Sequence, residues 1–173
     1  MKNRTCTILF FALATLLVSA QTAPTTVANS ATFSLNVSTN SGPFHLGEAI
    51  QLEVSLTNIS DHKIYVRRTN GNVGAADFDV FSLDETGNSA SESSLYRALK
   101  GRSPNDSSKS KSIVRKDFQV IGVEPGQSIE SSIDLGKAFD LNRTGNYKVW
   151  IERTDAASKT RVKSNVITVA IGQ

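Results

Sequence analysis

Set aside the first twenty residues and this chain has no cysteine, because its one cysteine is Cys6. A disulfide framework is thereby excluded, along with thiolate nucleophiles and thiolate metal sites, and stability must come from a packed core. Histidine is nearly as scarce. His45 and His62 are the two in the sequence, and neither stands in a G-x-S-x-G or H-E-x-x-H context, so the spacing of a serine hydrolase or a zinc protease is missing. Both fall in segments that read as turns and are expected to be ordinary surface residues. An excess of charge is lacking as well: 19 basic residues face 16 acidic ones, and losing Lys2 and Arg4 leaves an excess of one. Near-neutrality argues against nucleic acid or an anionic membrane as the main partner. The longest apolar run, Ile8 to Val18, is about half of what a membrane span needs, so no stable membrane insertion is expected.

That apolar run instead fits an export signal. Lys2 and Arg4 precede it, and Val18-Ser19-Ala20 follows with small residues where a signal peptidase reads. Cleavage is expected after Ala20, giving a secreted or periplasmic protein. Cys6 lies before the apolar run rather than at the cleavage point, which disfavours lipid anchoring. Residues 21–30, rich in Thr, Ala and Pro, read as a flexible mature N-terminus. About 140 residues then remain, 31–173, enough for one domain with a core of its own.

What is present is alternation with a period of two. Phe33, Leu35 and Val37 alternate with polar neighbours, and Ile50, Leu52, Val54 and Leu56 do so most regularly. Ile64-Tyr65-Val66 and Phe78 to Leu83 give further strands, the latter closed by Asp84-Glu85-Thr86-Gly87-Asn88. From Ser89 to Ser112 the pattern dissolves into Ser, Lys, Arg and Gly, a long insertion in which Leu95, Tyr96 and Leu99 are spaced for one helical turn. Strands resume over Ile113 to Val123 and end with Asn165 to Ile171, a run apolar enough to be buried on both faces.

Between them lies the stretch that names the fold. Pro125-Gly126 suits the central positions of a type II turn, and Ile129, Ser131 and Ile133 continue as a strand. Asp134 can cap a helical turn that gathers Leu135, Ala138 and Phe139 on one face. Thr144-Gly145-Asn146 then turns the chain into Tyr147, Val149 and Ile151. Strand, one-turn crossover and Gly-x-Tyr make up the E to F passage of an immunoglobulin-like sandwich, with Tyr147 at the tyrosine corner. The expected fold class is all-β: an immunoglobulin-like antiparallel β-sandwich of about seven to eight strands, with an insertion at about 89–112.

Few residues carry chemistry. Asp77, Asp79, Asp84 and Glu85 cluster on one strand and its turn, but lack the D-x-D-x-D-G order of a calcium loop; no cofactor or metal is expected. Gly71-Asn72-Val73-Gly74 opens no helix and reads as a turn rather than a phosphate cradle. The candidate binding residues are Arg97, Lys100, Arg102, Lys109 and Lys111 of the cationic insertion, able to dock an acidic partner or to keep a long loop solvated. Trp150 joins them. It is expected to point away from the face of Tyr147, Val149 and Ile151, either as a binding anchor or covered by the insertion. Sequons stand at Asn36, Asn58, Asn105 and Asn142.

With the strands placed, L-G-E-A-I-Q-L-E-V-S-L-T-N-I-S-D-H-K-I-Y-V (Leu46 to Val66), V-E-P-G-Q-S, I-D-L-G-K-A-F-D-L and T-G-N-Y-K-V resemble immunoglobulin-like domains of bacterial secreted proteins. They also resemble the non-catalytic β-domain of deuterolysin-like metallopeptidases, whose H-E-x-x-H helix is absent here. The L-T-N-x-S-D run is weakly similar to small β-sandwich proteinase inhibitors. The sandwich pattern and the missing catalytic constellation point to an exported, non-enzymatic module that binds an extracytoplasmic protein or an envelope polymer. The alternative is a secreted protease inhibitor or protease-associated regulatory domain engaging its enzyme through the insertion.

Overall fold

The computed structural model describes residues 30–40, 42–69, 74–102 and 118–173. The expected signal peptide, nearly all of the N-terminal segment, residues 71–73 of the glycine-rich turn and most of the basic half of the insertion lie outside these residues. The strands are β1 Phe33–Thr39, β2 Phe44–His45, β3 Gln51–Asn58, β4 Ile64–Thr69, β5 Asp79–Leu83, β6 Phe118–Val123, β7 Ser128–Asp134, β8 Gly145–Thr154, β9 Arg161–Lys163 and β10 Ile167–Gly172. Two short helices, α1 Ser94–Leu99 and α2 Leu135–Ala138, and a 3-10 turn at Gly74–Ala76 complete the described elements. The fold is all-β and sandwich-like. Ten strands replace the seven or eight expected because β2 and β9 are too short to show any periodicity.

Three sheets share one core. The first runs β1-β3-β7, the second β2-β10-β8-β5 with β9 on β8, and β4 pairs with β6 as a two-stranded ribbon. Apart from the short parallel contact of β2 with β10, the pairings are antiparallel. Alternation puts Leu35, Val37, Leu52, Val54, Leu56 and Ile133 on the inner face of the first sheet, against Val80, Tyr147, Val149, Ile151, Val169 and Ile171 of the second.

The stretch from Val123 to Ile151 forms as its residues dictate. Gly126 takes a φ of 76° and Gln127 N–H closes the turn on the Glu124 carbonyl (3.0 Å). Asp134 Oδ1 accepts from the Gly136 and Lys137 amides, capping α2 over the buried Leu135, Ala138 and Phe139. Tyr147 is buried, and its hydroxyl donates to the Arg143 carbonyl (3.0 Å), the contact that defines a tyrosine corner.

Three expectations need correction, and the strand expected over Ile113 to Val123 is seen from Phe118 onward, residues 113–117 lying outside the described residues. The last strand starts at Ile167 and is buried on one face, through Val169 and Ile171, while Val166 is half exposed; an apolar run does not say how many faces are covered. Asp77 precedes β5 rather than alternating along it, and binds the Thr69 amide and hydroxyl. The first part of the insertion, up to residue 102, packs as structure: Tyr96 and Leu99 of α1 are buried, and Ser93 caps the helix while bonding the Lys137 carbonyl.

The ribbon is attached through Asn58, the last residue of β3, whose side chain is 0% exposed. Asn58 Nδ2 donates to the carbonyls of His62 (2.8 Å) and Val123 (2.9 Å), and Oδ1 accepts from the Ser60 amide and hydroxyl. Its backbone bonds Gly126 and Gln127. Burial leaves the sequon at this position inaccessible. Replacing Asn58 by Ala removes these four side-chain bonds from a fully buried position, at an expected cost of about 3 kcal/mol. A urea midpoint shifted by that amount, with unchanged slope, is the expected result.

Candidate functional site

The outer face of β5, β8 and β9 collects several residues picked out from the sequence. Trp150 does point away from Tyr147, Val149 and Ile151, and pairs across the strands with Phe81. The rings stack at 5.1 Å with 5° between planes, Lys163 Nζ lies 4.3 Å from the indole centroid, and Nε1 donates to Glu152 Oε1 (2.9 Å). The indole is thus half-buried under its own sheet's side chains. Lys100 and Arg102 stand nearby, just beyond α1. Lys100 Nζ donates to the Phe78 carbonyl (2.6 Å) and pairs with Asp79 (3.1 Å); Arg102 pairs with Glu92 (2.9 Å). Arg161 bridges Asp79 and Glu152. Arg97 is half-buried, with Nε enclosed and without a hydrogen-bond partner among the described residues. Lys109 and Lys111 lie outside the described residues.

This cluster does structural work. β5 pairs with β8 on one side only, and on the other α1 covers it: the Val80 amide donates to Tyr96 Oη (2.7 Å), Lys100 takes the Phe78 carbonyl, and the Ala90 amide donates to Ser82. Side chains thereby close an edge that would otherwise present free amides.

The remaining carboxylates are dispersed. Asp84 binds Thr86 and Asn88 within its own turn, its pKa lowered by those bonds, and Glu85 accepts from Asn146. Among the described residues no group of three His, Cys, Asp or Glu is placed to hold a metal. Nδ1 of His45 meets the Gln173 carbonyl (2.7 Å), and Nδ1 of His62 meets Asp61 (2.8 Å).

The surface that sequence reasoning missed is the ribbon. β4 buries Ile64 and Val66 and turns Tyr65 and Arg67 outward. Register places Tyr65 opposite Gly122, Arg67 opposite Val120 and Thr69 opposite Phe118, so all share one face. Tyr65, Val120 and Phe118 are 71%, 60% and 50% exposed, and the Arg67 guanidinium lies 3.6 Å from the Phe118 ring centroid. A groove of about 340 Å³ runs beside β4, lined by Tyr65, Arg67, Phe33 and Arg153 among others. Arg153 Nη2 donates to the Arg67 carbonyl (2.5 Å), and burial lowers the pKa of its guanidinium. Alternation across Ile64-Tyr65-Val66 could have flagged Tyr65. F-Q-V-I-G-V has no such contrast, and its outward side chains appear only with the register.

No family model matches the chain, and no curated protein does. Among solved structures, a β-glucosidase from Listeria innocua in complex with isofagomine is similar over 82% of this chain and 16% of that one, with 16% identity and a TM-score of 0.40. The same enzyme in complex with glucose gives 15% identity and a TM-score of 0.37 over the same shares. This chain therefore spans about one sixth of those proteins, and likeness at this level carries nothing about its chemistry.

Tyr96 offers a test of the sealed edge. Its phenol is 1% exposed, and burial raises its pKa to about 12, against a lowering effect of the Val80 bond. A raised folded pKa means stability that is complete below the unfolded value near 10 and lost as pH climbs toward 12. Thermal midpoints should fall over that window. Tyr96→Phe should abolish the fall that this phenol causes, and lower stability at pH 7 by about 1–3 kcal/mol by stranding the Val80 amide.

Proposed function

We propose that this chain is an exported, non-enzymatic immunoglobulin-like module that binds a protein or cell-envelope component on the outer face of the β4–β6 ribbon. The observation that supports it is the contiguous exposure of Tyr65, Phe118 and Val120 around Arg67. Aromatic and arginine side chains dominate binding energy at protein interfaces, and solvent-facing apolar clusters commonly mark such sites. The binding reading is preferred to an enzymatic one because the two imidazoles bond a backbone carbonyl and a neighbouring aspartate rather than a nucleophile.

Two measurements test the proposal. Intact mass of the chain recovered outside the cytoplasm should correspond to a start at Gln21; a full-length mass there, or no export, overturns the export reading. The immobilised chain should retain a specific extracytoplasmic component whose affinity drops at least tenfold in Tyr65→Ala with Arg67→Ala. Trp150→Ala should leave that affinity within about twofold. Retention that follows Trp150 and ignores the ribbon would move the site to the outer sheet face.

A further inference from the structure

We propose that the chain associates with a second copy of itself through β6, the two β6 strands pairing antiparallel about a two-fold axis at Val120. The direction of the backbone groups carries the argument. On β4 the Arg67 carbonyl accepts from Arg153 and the Thr69 amide donates to Asp77, so residues of this parity aim their backbone groups away from β6. Asn58 Nδ2 reaches both the His62 and Val123 carbonyls, so both point into the space between the two strands, and Val123, opposite Ile64, shares the phase of the even-numbered β4 residues. Arg67–Val120 and Thr69–Phe118 are therefore the non-hydrogen-bonded pairs of the ribbon. It follows that the amides and carbonyls of Phe118, Val120 and Gly122 point to the free edge of β6. Among the described residues nothing bonds them.

Two other edges are guarded. Tyr96 and Lys100 close β5, and Asn165 closes β1 by accepting from the Val37 amide (2.8 Å) and donating to its carbonyl (2.9 Å). β6, F-Q-V-I-G-V, has no charge, no proline and no side-chain cap, the devices that normally keep edges apart.

The second copy is favoured because the strand matches itself. Centred on Val120, antiparallel pairing sets Phe118 against Gly122 of the second copy, where the flexible Lys63 stem that overlies the glycine swings aside to admit the ring. The outward amides and carbonyls at 118, 120 and 122 then find partners at 122, 120 and 118. No charged side chain of β6 meets its own kind at the seam. The result is a continuous four-stranded surface, β4-β6-β6-β4, to which each copy contributes Tyr65, Arg67 and Val120. This inference uses the same ribbon as the ligand reading but does not rest on it, since self-association is read without a ligand.

The test uses the full chain carrying Cys6→Ser, so that Val120→Cys supplies its one thiol. Sedimentation of the Cys6→Ser parent should show a monomer–dimer equilibrium. Val120→Cys should form a disulfide-linked dimer under mild oxidation, because facing residues at the two-fold axis lie about 5.5 Å apart at Cα, whereas Phe118→Cys, facing a glycine, should not. Val120→Pro removes an amide that points away from β4, so it should weaken dimerisation at least tenfold with unchanged circular dichroism. Should that variant misfold, Val120→Lys at the same exposed position serves instead. A monomer at every accessible concentration, a dimer indifferent to Val120→Lys, or equal cross-linking at 118 and 120 overturns the proposal.

Discussion

The seating of the β4–β6 ribbon and of the turn that follows it depends on one buried carboxamide. Asn58 ends β3 with two donors and two acceptors' worth of oxygen in a place without water, and each is used. A buried amide is costly unless satisfied, so its four bonds are as much a constraint as a stabilisation. The constraint fixes where β4 begins, through His62, where β6 ends, through Val123, and how the Pro125-Gly126 turn sits, through Gly126 and Gln127. A hydrophobic residue there would fill the volume but lose all four bonds. The polar side chain therefore specifies geometry that burial alone leaves undetermined.

The same logic governs the sheet edges. A sandwich held without disulfides must still satisfy every edge amide it encloses. Here single side chains do it: Tyr96 for Val80, Asn165 for Val37, Asp155 for Thr32 and Asp77 for Thr69. Asp155 is the most enclosed of the carboxylates. Burial pushes its pKa up, yet bonds from Thr32, Ala157 and Ser158 outweigh that effect and hold it below the ordinary value. Its contribution is therefore complete above the unfolded pKa near 4 and lost as pH falls through the lower folded value. Tyr96 shows the opposite case at the alkaline end, so the two edges weaken at opposite extremes of pH.

Much of the sandwich could be read from sequence where turn chemistry and alternation agreed. The type II turn, the Asp134 cap and the Tyr147 corner each rest on residues whose preferred conformation is local, and local preference survives folding. The insertion misled because serine and lysine are compositional signals of solvation, while two apolar residues, Tyr96 and Leu99, decide that α1 is buried. Lys100 reads as a free cation in sequence and becomes a cap for the Phe78 carbonyl, since its long stem can carry charge to a backbone group. The ribbon was illegible for a different reason. Which side chains of β6 face water depends on pairing with β4 across 49 to 59 residues, and register is not local information.

Two strands are seldom stable by themselves, so the ribbon holds its shape through attachments at its margins: Asn58 at one end, Asp77 at Thr69, and Arg153 reaching from β8 to the Arg67 carbonyl. Its outer face has no layer above it, since Tyr65, Val120 and Phe118 remain open to solvent. Such an element sits at the low-stability end of a domain, where opening costs less than global unfolding. Anything that adds hydrogen bonds to β6 or covers Tyr65 binds the ordered ribbon better than the loosened one, and by mass action deepens the native state. Binding and ribbon order are then one equilibrium. Protection of the Ile121 and Val123 amides, which face β4, would rise with occupancy of the face even though no ligand touches them.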